Sequence, residues 1–356
     1  MQMQRPGKGA IIAGGLAVFA LAGVGLVYSG LRRGATADAS PAPELLSEVP
    51  AGAPTLVYAD LAAIRASAFY QQRPDRGPIA LPDRDYADFV QSTGFDFEKD
   101  LDRVVIASWP SGLAPGKKRT ILIADGRFDH RKIHDYAVRK GKLDRQEGHE
   151  VFLFPSDDLS SGDAPSGNAS GGKQEQKRWN SITFLNDRRI AIVEGASISP
   201  LLQHPAEDGP GGDPARDRAG RVAGAAVFAI TRVPPIPANY SPGGIQSAQL
   251  MNLARSLQWI TLAARPEGND LRVSLEGECL SAMDARQLQA ALELFRMIGS
   301  AGLASPKTRQ SMDPATLNVL ETMLTSADVS ASAERVRILV ELTPDILKLG
   351  GPRKTQ

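Results

Sequence analysis

Apolar and polar positions alternate in three different ways along this chain. Residues 10–31 carry no charged side chain at all, and Arg32 and Arg33 follow them directly. At 1.5 Å per helical residue such a run covers about 33 Å, enough for a hydrocarbon core of roughly 30 Å. In lipid only a helix satisfies the backbone of a single such segment, so a transmembrane helix is predicted from Ala10 to Leu31. Tyr28 sits where an amphipathic ring favours the headgroup level. Residues 32–54 are rich in Pro and Ala and read as a spacer. Beyond them the pattern becomes that of a folded body.

Short apolar runs separated by turn residues predict strands at 55–60, 104–107, 120–123, 151–154, 181–184 and 190–193. Helices are predicted over 61–70 and around Phe89 and Val90, and over 130–140, with Asp129 as N-cap and Gly141 as the stop. Residues 155–177 are almost wholly polar and read as a loop, and 204–221 have the same character and read as a linker. The second half repeats the first. A strand at 226–230 and a helix at 246–257 lead into a hairpin about Pro266, Glu267, Gly268 and Asn269. Both predicted hairpins end on glycine, Gly126 and Gly277, and both lead into a helix. Ser281 and Asp284 make a capping pair ahead of an apolar face of Leu288, Leu292, Phe295 and Ile298. A further helix opens at Asp313 and Pro314, and strands at 328–331 and 336–341 close the body.

The expected class is therefore α+β: a transmembrane helix, then two tandem, duplicated ferredoxin-like units. Each is β-α-β-β-α-β plus an extra strand, with an antiparallel sheet. The expected segments are a tail at 1–9, the helix at 10–31, the spacer at 32–54, a first unit at 55–203, the linker at 204–221, a second unit at 222–350 and a tail at 351–356.

Composition adds limits. With 42% hydrophobic and 23% charged residues the body is of ordinary globular make-up, and a formal net charge of +1 gives no field that would attract nucleic acid. Cys279 is the only cysteine, which excludes an internal disulfide and thiolate clusters. Basic residues flank the apolar run on both sides, Arg5 and Lys8 against Arg32 and Arg33, so the positive-inside count is nearly balanced. A nine-residue tail ahead of a large body reads as an uncleaved signal anchor with the body exported, although an A-x-A pattern ends at Ala37. The expected location is the inner membrane, single-pass, with a periplasmic body.

Chemistry is sparse. His130 and His134 share one face of a helix, as two zinc ligands do, with Asp135 and His149 available beside them. Neighbouring Arg131 and Lys132 oppose a cation there, and the ordinary reading is two histidines near a sheet edge. Glu276 and Glu278 flank Gly277 just before Cys279, which more commonly makes a solvent-facing strand end beside a small buried thiol than a catalytic pair. Gly112, Gly116 and Lys117 fall short of a phosphate-loop spacing. No catalytic residue, metal or cofactor is assigned.

The opening of the body, Val49 to Asp60, and the stretch Thr93 to Asp102 resemble bacterial N-terminally anchored envelope proteins of unknown function. The layout, one span and then strand, helices and two strands, is similar to POTRA-bearing division proteins of the FtsQ/DivIB type, and the anchor is shared with ferredoxin-like pilus-assembly proteins. The resemblance implies no activity. The expectation is a non-catalytic binding or assembly module that contacts the bilayer and either a protein partner or a second copy. The alternative is a tethered hydrolase with its site in a groove between the repeats.

Overall fold

The computed structural model of the chain describes residues 43–72, 84–110, 118–155, 179–202, 212–236 and 253–348. The predicted anchor, the tail before it and the site after Ala37 lie outside these. Among the described residues no helix is long and apolar enough to cross a membrane. What they form is a mixed helix and strand fold in which every described strand pairing is antiparallel.

The residues gather into two compact units that do not follow chain order. One takes in described residues from 54–72 and from 214 onward, and the other takes in 43–53 and 84–213. Strand β1 (Thr55–Asp60), expected to open the first unit, gathers with the residues from 214 onward, where it pairs with β8 (Val227–Arg232), Val57 opposite Ala229. The reason is apolar packing across that pair. Tyr58 and Phe228 stack at 5.2 Å between ring centroids, and both are buried.

In this unit the strand order is β11-β12-β10-β9-β8-β1, with β9 (Leu257–Glu267), β10 (Asp270–Cys279), β11 (Asp328–Ser332) and β12 (Arg335–Leu342). Gly268 adopts φ +58° in the tight turn joining β9 to β10. The ferredoxin-like expectation needs correcting here. A β-α-β crossover joins parallel strands, but β8 and β9 pair directly and antiparallel, Phe228 opposite Ala263. The helix predicted between them is described only over 253–256.

In the other unit the order is β2-β3-β7-β6-β5-β4, with β2 (Leu101–Pro110), β3 (Lys118–Gly126), β4 (Lys142–Gln146), β5 (His149–Pro155), β6 (Trp179–Asn186) and β7 (Arg189–Glu194). All but β4 were predicted. Its residues KLDRQ have no apolar alternation, and it forms as an edge strand paired with β5. One sheet face buries Val105, Ala107, Ile121, Ile123, Ala191 and Val193 without residual exposure.

The spacer expectation ends at residue 42. Residues 43–47 form helix α1 (Pro43–Ser47), and Leu45, Leu46 and Val49 are buried in the same unit as β2 to β7. Burying each leucine is worth roughly 1.5–3 kcal/mol, enough to offset the freedom a tether residue gives up on being ordered there. Arg189 clamps the helix, donating to Glu48 at 3.0 Å and Glu44 at 3.3 Å while bound to Asp125 at 2.6 Å.

The predicted helix over 61–70 is two pieces, α2 (Leu61–Ala66) and α3 (Ala68–Gln71), because Ser67 turns extended and caps the second through Tyr70 N–H at 3.2 Å. Helices α4 (Arg84–Thr93) and α5 (Phe97–Asp100) precede β2, and α6 (His130–Lys140) follows β3 with Asp129 accepting from Lys132 N–H at 3.1 Å. A single turn, α7 (Ser199–Leu202), follows β7. The linker reading of 204–221 also needs correcting, since 214–221 is helix α8 (Pro214–Arg221), with Pro214 at its first position. After β10 come α9 (Ala282–Ala304), α10 (Pro306–Ser311) and α11 (Pro314–Ser326), capped by Ser281, Ser305 and Asp313. The face expected to bury along α9 does so only in part, with Phe295 at 48% and Ile298 at 58% exposed.

Gly126 and Gly277 end their hairpins for different steric reasons. A Cβ on Gly126 would lie 2.6 Å from the Asp100 backbone oxygen, whereas on Gly277 it would lie 2.7 Å from the end of the Leu257 side chain. Gly126→Ala is expected to cost about 1–3 kcal/mol in urea unfolding and Gly277→Ala clearly less, because a leucine tip can rotate whereas the Asp100 carbonyl, at the end of a helix and accepting from Arg127 N–H at 2.8 Å, cannot. Equal losses would show that the two approaches are equally rigid.

Candidate functional site

The pleat of β10 decides what faces the site. Arg272, Ser274, Glu276 and Glu278 point to one side of the sheet, and Gly277 points to the other, against Leu288 of α9. Cross-strand register extends the polar set. Arg265 of β9 lies opposite Arg272, Ala263 opposite Ser274, Thr261 opposite Glu276 and Trp259 opposite Glu278. On the far side β12 places Glu341, Leu339, Arg337 and Arg335 opposite the same four positions. Helix α8 lies on this polar side and brings Arg218 and Arg221.

At one end the charges are mutually satisfied. Glu278 receives hydrogen bonds from both Arg218 and Arg221, and the Arg218 guanidinium lies 4.1 Å from the centroid of the Trp259 ring. Burial raises the Glu278 pKa, but the bonds from the two arginines outweigh it and hold the carboxyl below the usual range. Glu276 pairs with Arg221 at 3.5 Å and with Arg335 at 3.9 Å.

Beyond this cluster the face opens into a groove with a cavity volume of about 250 Å³. Its floor is Thr261, Ala263 and Ser274, and its rim carries Arg221, Arg265, Arg272 and Arg337 against Glu267 and Glu276. Arg265 is held by backbone, donating to the Gly224 carbonyl at 3.1 Å and the Ala223 carbonyl at 3.0 Å. Gly224 takes φ +82°, a conformation glycine favours, and a Cβ there would come within 3.0 Å of the guanidinium. Arg272 bridges Glu267 at 2.9 Å and Glu341 at 3.2 Å, while its Nε is buried without a hydrogen-bond partner among the described residues. Arg337 stands opposite Glu276 in register, yet Glu276 turns to Arg221 and Arg335, and the Arg337 guanidinium bonds to no described residue. The Thr261 and Ser274 hydroxyls also bond to no described residue.

The residues singled out in the sequence fall elsewhere, apart from the two glutamates. His130 stacks on Phe184 at 3.9 Å, with its Nε2 at 3.0 Å from the Asp187 carbonyl. His134 meets the Phe152 ring edge-on and lies 3.5 Å from Asp135 and 3.8 Å from Glu150. The two imidazoles thus face aromatic rings of the sheet, and Ile133, Tyr136 and Ala137 bury as expected. Among the described residues no group of three or more His, Cys, Asp or Glu is placed to hold a metal ion. Cys279 is buried, and burial pushes its thiol up, away from a reactive thiolate.

The arginines of the groove were missed. One signal was available. A hairpin closed by the two-residue turn at Gly268 and Asn269 sets Arg265 against Arg272, so those two could have been paired from the sequence.

No protein-family model matches the chain, and no curated protein matches it. Among solved structures it is similar to three crystal forms of TP0453. Forms I, III and IV give TM-scores of 0.37, 0.39 and 0.40 at 12%, 12% and 11% identity. The alignments cover 88%, 88% and 87% of this chain and 96%, 98% and 95% of those. Likeness at that level carries no argument about fold or function.

The lowered Glu278 pKa has a pH consequence. Its contribution to stability is full at neutral pH, above the unfolded value, and disappears as pH falls through the folded value. The stability gap between wild type and Glu278→Gln, measured by urea unfolding, is therefore expected to be widest near pH 7 and to close on acidification. A gap that stays constant down to pH 3 would contradict the pairing.

Proposed function

We propose that the chain is a non-catalytic binding module held on a membrane by the helix predicted at 10–31, its body on the extracytoplasmic side of the inner membrane. One observation carries the binding half of this reading. The groove gathers four arginines and two hydroxyls with no described partner, and among the described residues none there forms a nucleophile and base pair. Arginine forks and hydroxyls hold a ligand's oxygens well, whereas hydrolysis needs a group that attacks and another that takes its proton. Glu276 is engaged by arginines, and Cys279 does not line the groove. The hydrolase alternative, whose site was expected between the two repeats, draws no support from this groove.

The membrane half is supported by the uncharged run alone. A tether of residues 32–42, up to about 40 Å when extended, would keep the body near the bilayer. We further propose that the two halves arose by duplication. In support, each contains a hairpin, then a helix, then a closing strand that returns beside the hairpin's second strand: β7 beside β3, and β12 beside β10. A protein partner or a second copy of the chain in the envelope belongs to the same proposal.

Fractionation tests the anchor. The full chain is expected to stay in membranes through high-salt and alkaline carbonate washes, and a variant lacking residues 10–31 to be released. A C-terminal alkaline phosphatase fusion should be active and a fluorescent-protein fusion dark. Release of the full chain by salt, or the opposite reporter pattern, would remove the anchored and exported reading.

A further inference from the structure

We infer that the groove on the β9, β10 and β12 face is a binding site for a phosphate monoester. This rests on the binding-module reading above and names the ligand chemistry. The charges on the rim are the first argument. Four arginines face two glutamates, an excess of two positive charges, which suits a dianion better than a single carboxylate. Extending the circle leaves the excess unchanged, because Arg218 and Arg335 are added along with Glu278 and Glu341.

The distribution of the bonds is the second argument. Arg265 is positioned by the Ala223 and Gly224 carbonyls and not by a carboxylate, so its charge is oriented without being neutralised. Arg337 is left by Glu276 with no partner among the described residues, and the Arg272 Nε is a buried donor that nothing described accepts. The Arg337 guanidinium and the Nη1 end of Arg265, whose Nε and Nη2 are taken by carbonyls, line the groove together with the Thr261 and Ser274 hydroxyls and supply donors from several elements. A tetrahedral group with three terminal oxygens uses such a set, whereas a planar carboxylate uses one fork. A volume of about 250 Å³ lies just under the roughly 300–1,000 Å³ of drug-sized sites, so the occupant is a phosphate with a small appendage.

Such a phosphate comes either from a soluble ester or from a lipid headgroup, and the experiment separates them. Full-length protein in phosphatidylcholine nanodiscs, at low ionic strength and free of phosphate, is titrated calorimetrically with inorganic phosphate and glycerol 3-phosphate. Dihexanoyl phosphatidic acid and dihexanoyl phosphatidylcholine are titrated in parallel, with acetate as the carboxylate control. Binding is expected for the monoesters over acetate and phosphatidylcholine. Arg337→Gln and Arg265→Gln should each weaken it about tenfold, with circular dichroism unchanged. Arg337→Lys should recover only part of the loss, since a lysine lacks the fork. Arg145→Gln, in the other unit, should bind as wild type does. Arg337-dependent binding of phosphatidic acid alone supports the site and assigns a lipid source, and binding of glycerol 3-phosphate alone supports it and assigns a soluble one. Preference for acetate, affinity unmoved by both substitutions, or silence in every monoester arm overturns the inference. Silence together with Arg337-dependent capture of an envelope protein overturns the phosphate and leaves the binding module standing. Silence with no Arg337-dependent capture removes both.

Discussion

The period of two along β10 is the constraint on which the site depends. Successive side chains must leave a strand on opposite faces, so Leu271, Val273 and Leu275 cannot share a side with Arg272, Ser274 and Glu276. A slip of one residue against β9 or β12 would drive the charged set under α9 and α11 and expose the aliphatic set to water. The penalty for burying those guanidinium and carboxylate groups unpaired far exceeds anything a slipped hydrogen-bond ladder returns. Register in this unit is thus enforced by charge as much as by grease, and the rim of the groove is a by-product of that enforcement.

The same register explains why the charges are shared unevenly. Glu276 and Glu278 both stand opposite arginines of β12, Arg337 and Arg335. Had each kept its cross-strand partner, Arg337 and Arg335 would both be paired and the unmatched charge would lie on the α8 arginines instead. Helix α8 intervenes, since Arg218 and Arg221 approach from above and take Glu278 outright and Glu276 in part. Helix α8 is held by the buried Ala215 and Ala219 and by the Arg218 guanidinium between Trp259 and Glu278, where stacking and a charged hydrogen bond act on one flat group. Docking of a short helix therefore releases an arginine elsewhere on the face.

Strands and caps were legible because their signals are local. Apolar runs placed β2, β3, β5, β6 and β7, and side-chain oxygens before helices placed the caps Asp129, Ser281 and Asp313. Three things were not legible, each for a physical reason. β4 has no apolar residue on either side of its alternation beyond Leu143 and exists only because β5 offers it an edge. Residues 214–221 read as a linker because their Gly, Pro and charge content is that of a loop, and the helix is rescued by contacts its own sequence does not contain. Residues 43–53 read as a spacer because Pro and Ala dominate their surroundings, although Leu45, Leu46 and Val49 are spaced to bury together. The groove failed for a related reason. Arg221, Arg265, Arg272 and Arg337 come from four elements, and each alone is an ordinary charge on a half-wet surface.

Arginine alone does not mark a site, as Arg189 demonstrates. It is buried, bound to Asp125 through both Nε and Nη2, and reaches Glu44 and Glu48 as well. The bonds to Asp125 raise its pKa against the burial that would lower it, so the charge is permanent and fully spoken for. Its donors join Asp125 of β3 to Glu44 and Glu48 of the α1 segment, and a ligand would have to displace a carboxylate to reach it. Arg337 is the converse case, a guanidinium on an open face whose cross-strand carboxylate has been drawn off by two other arginines. An ion pair left incomplete in this way costs the fold little while water solvates the charge, since surface pairs contribute only about 0–1 kcal/mol. Once a ligand excludes that water, the same unmatched charge becomes strongly attractive to an anion. What distinguishes a structural arginine from a binding one in this chain is whether its neighbours leave it a debt.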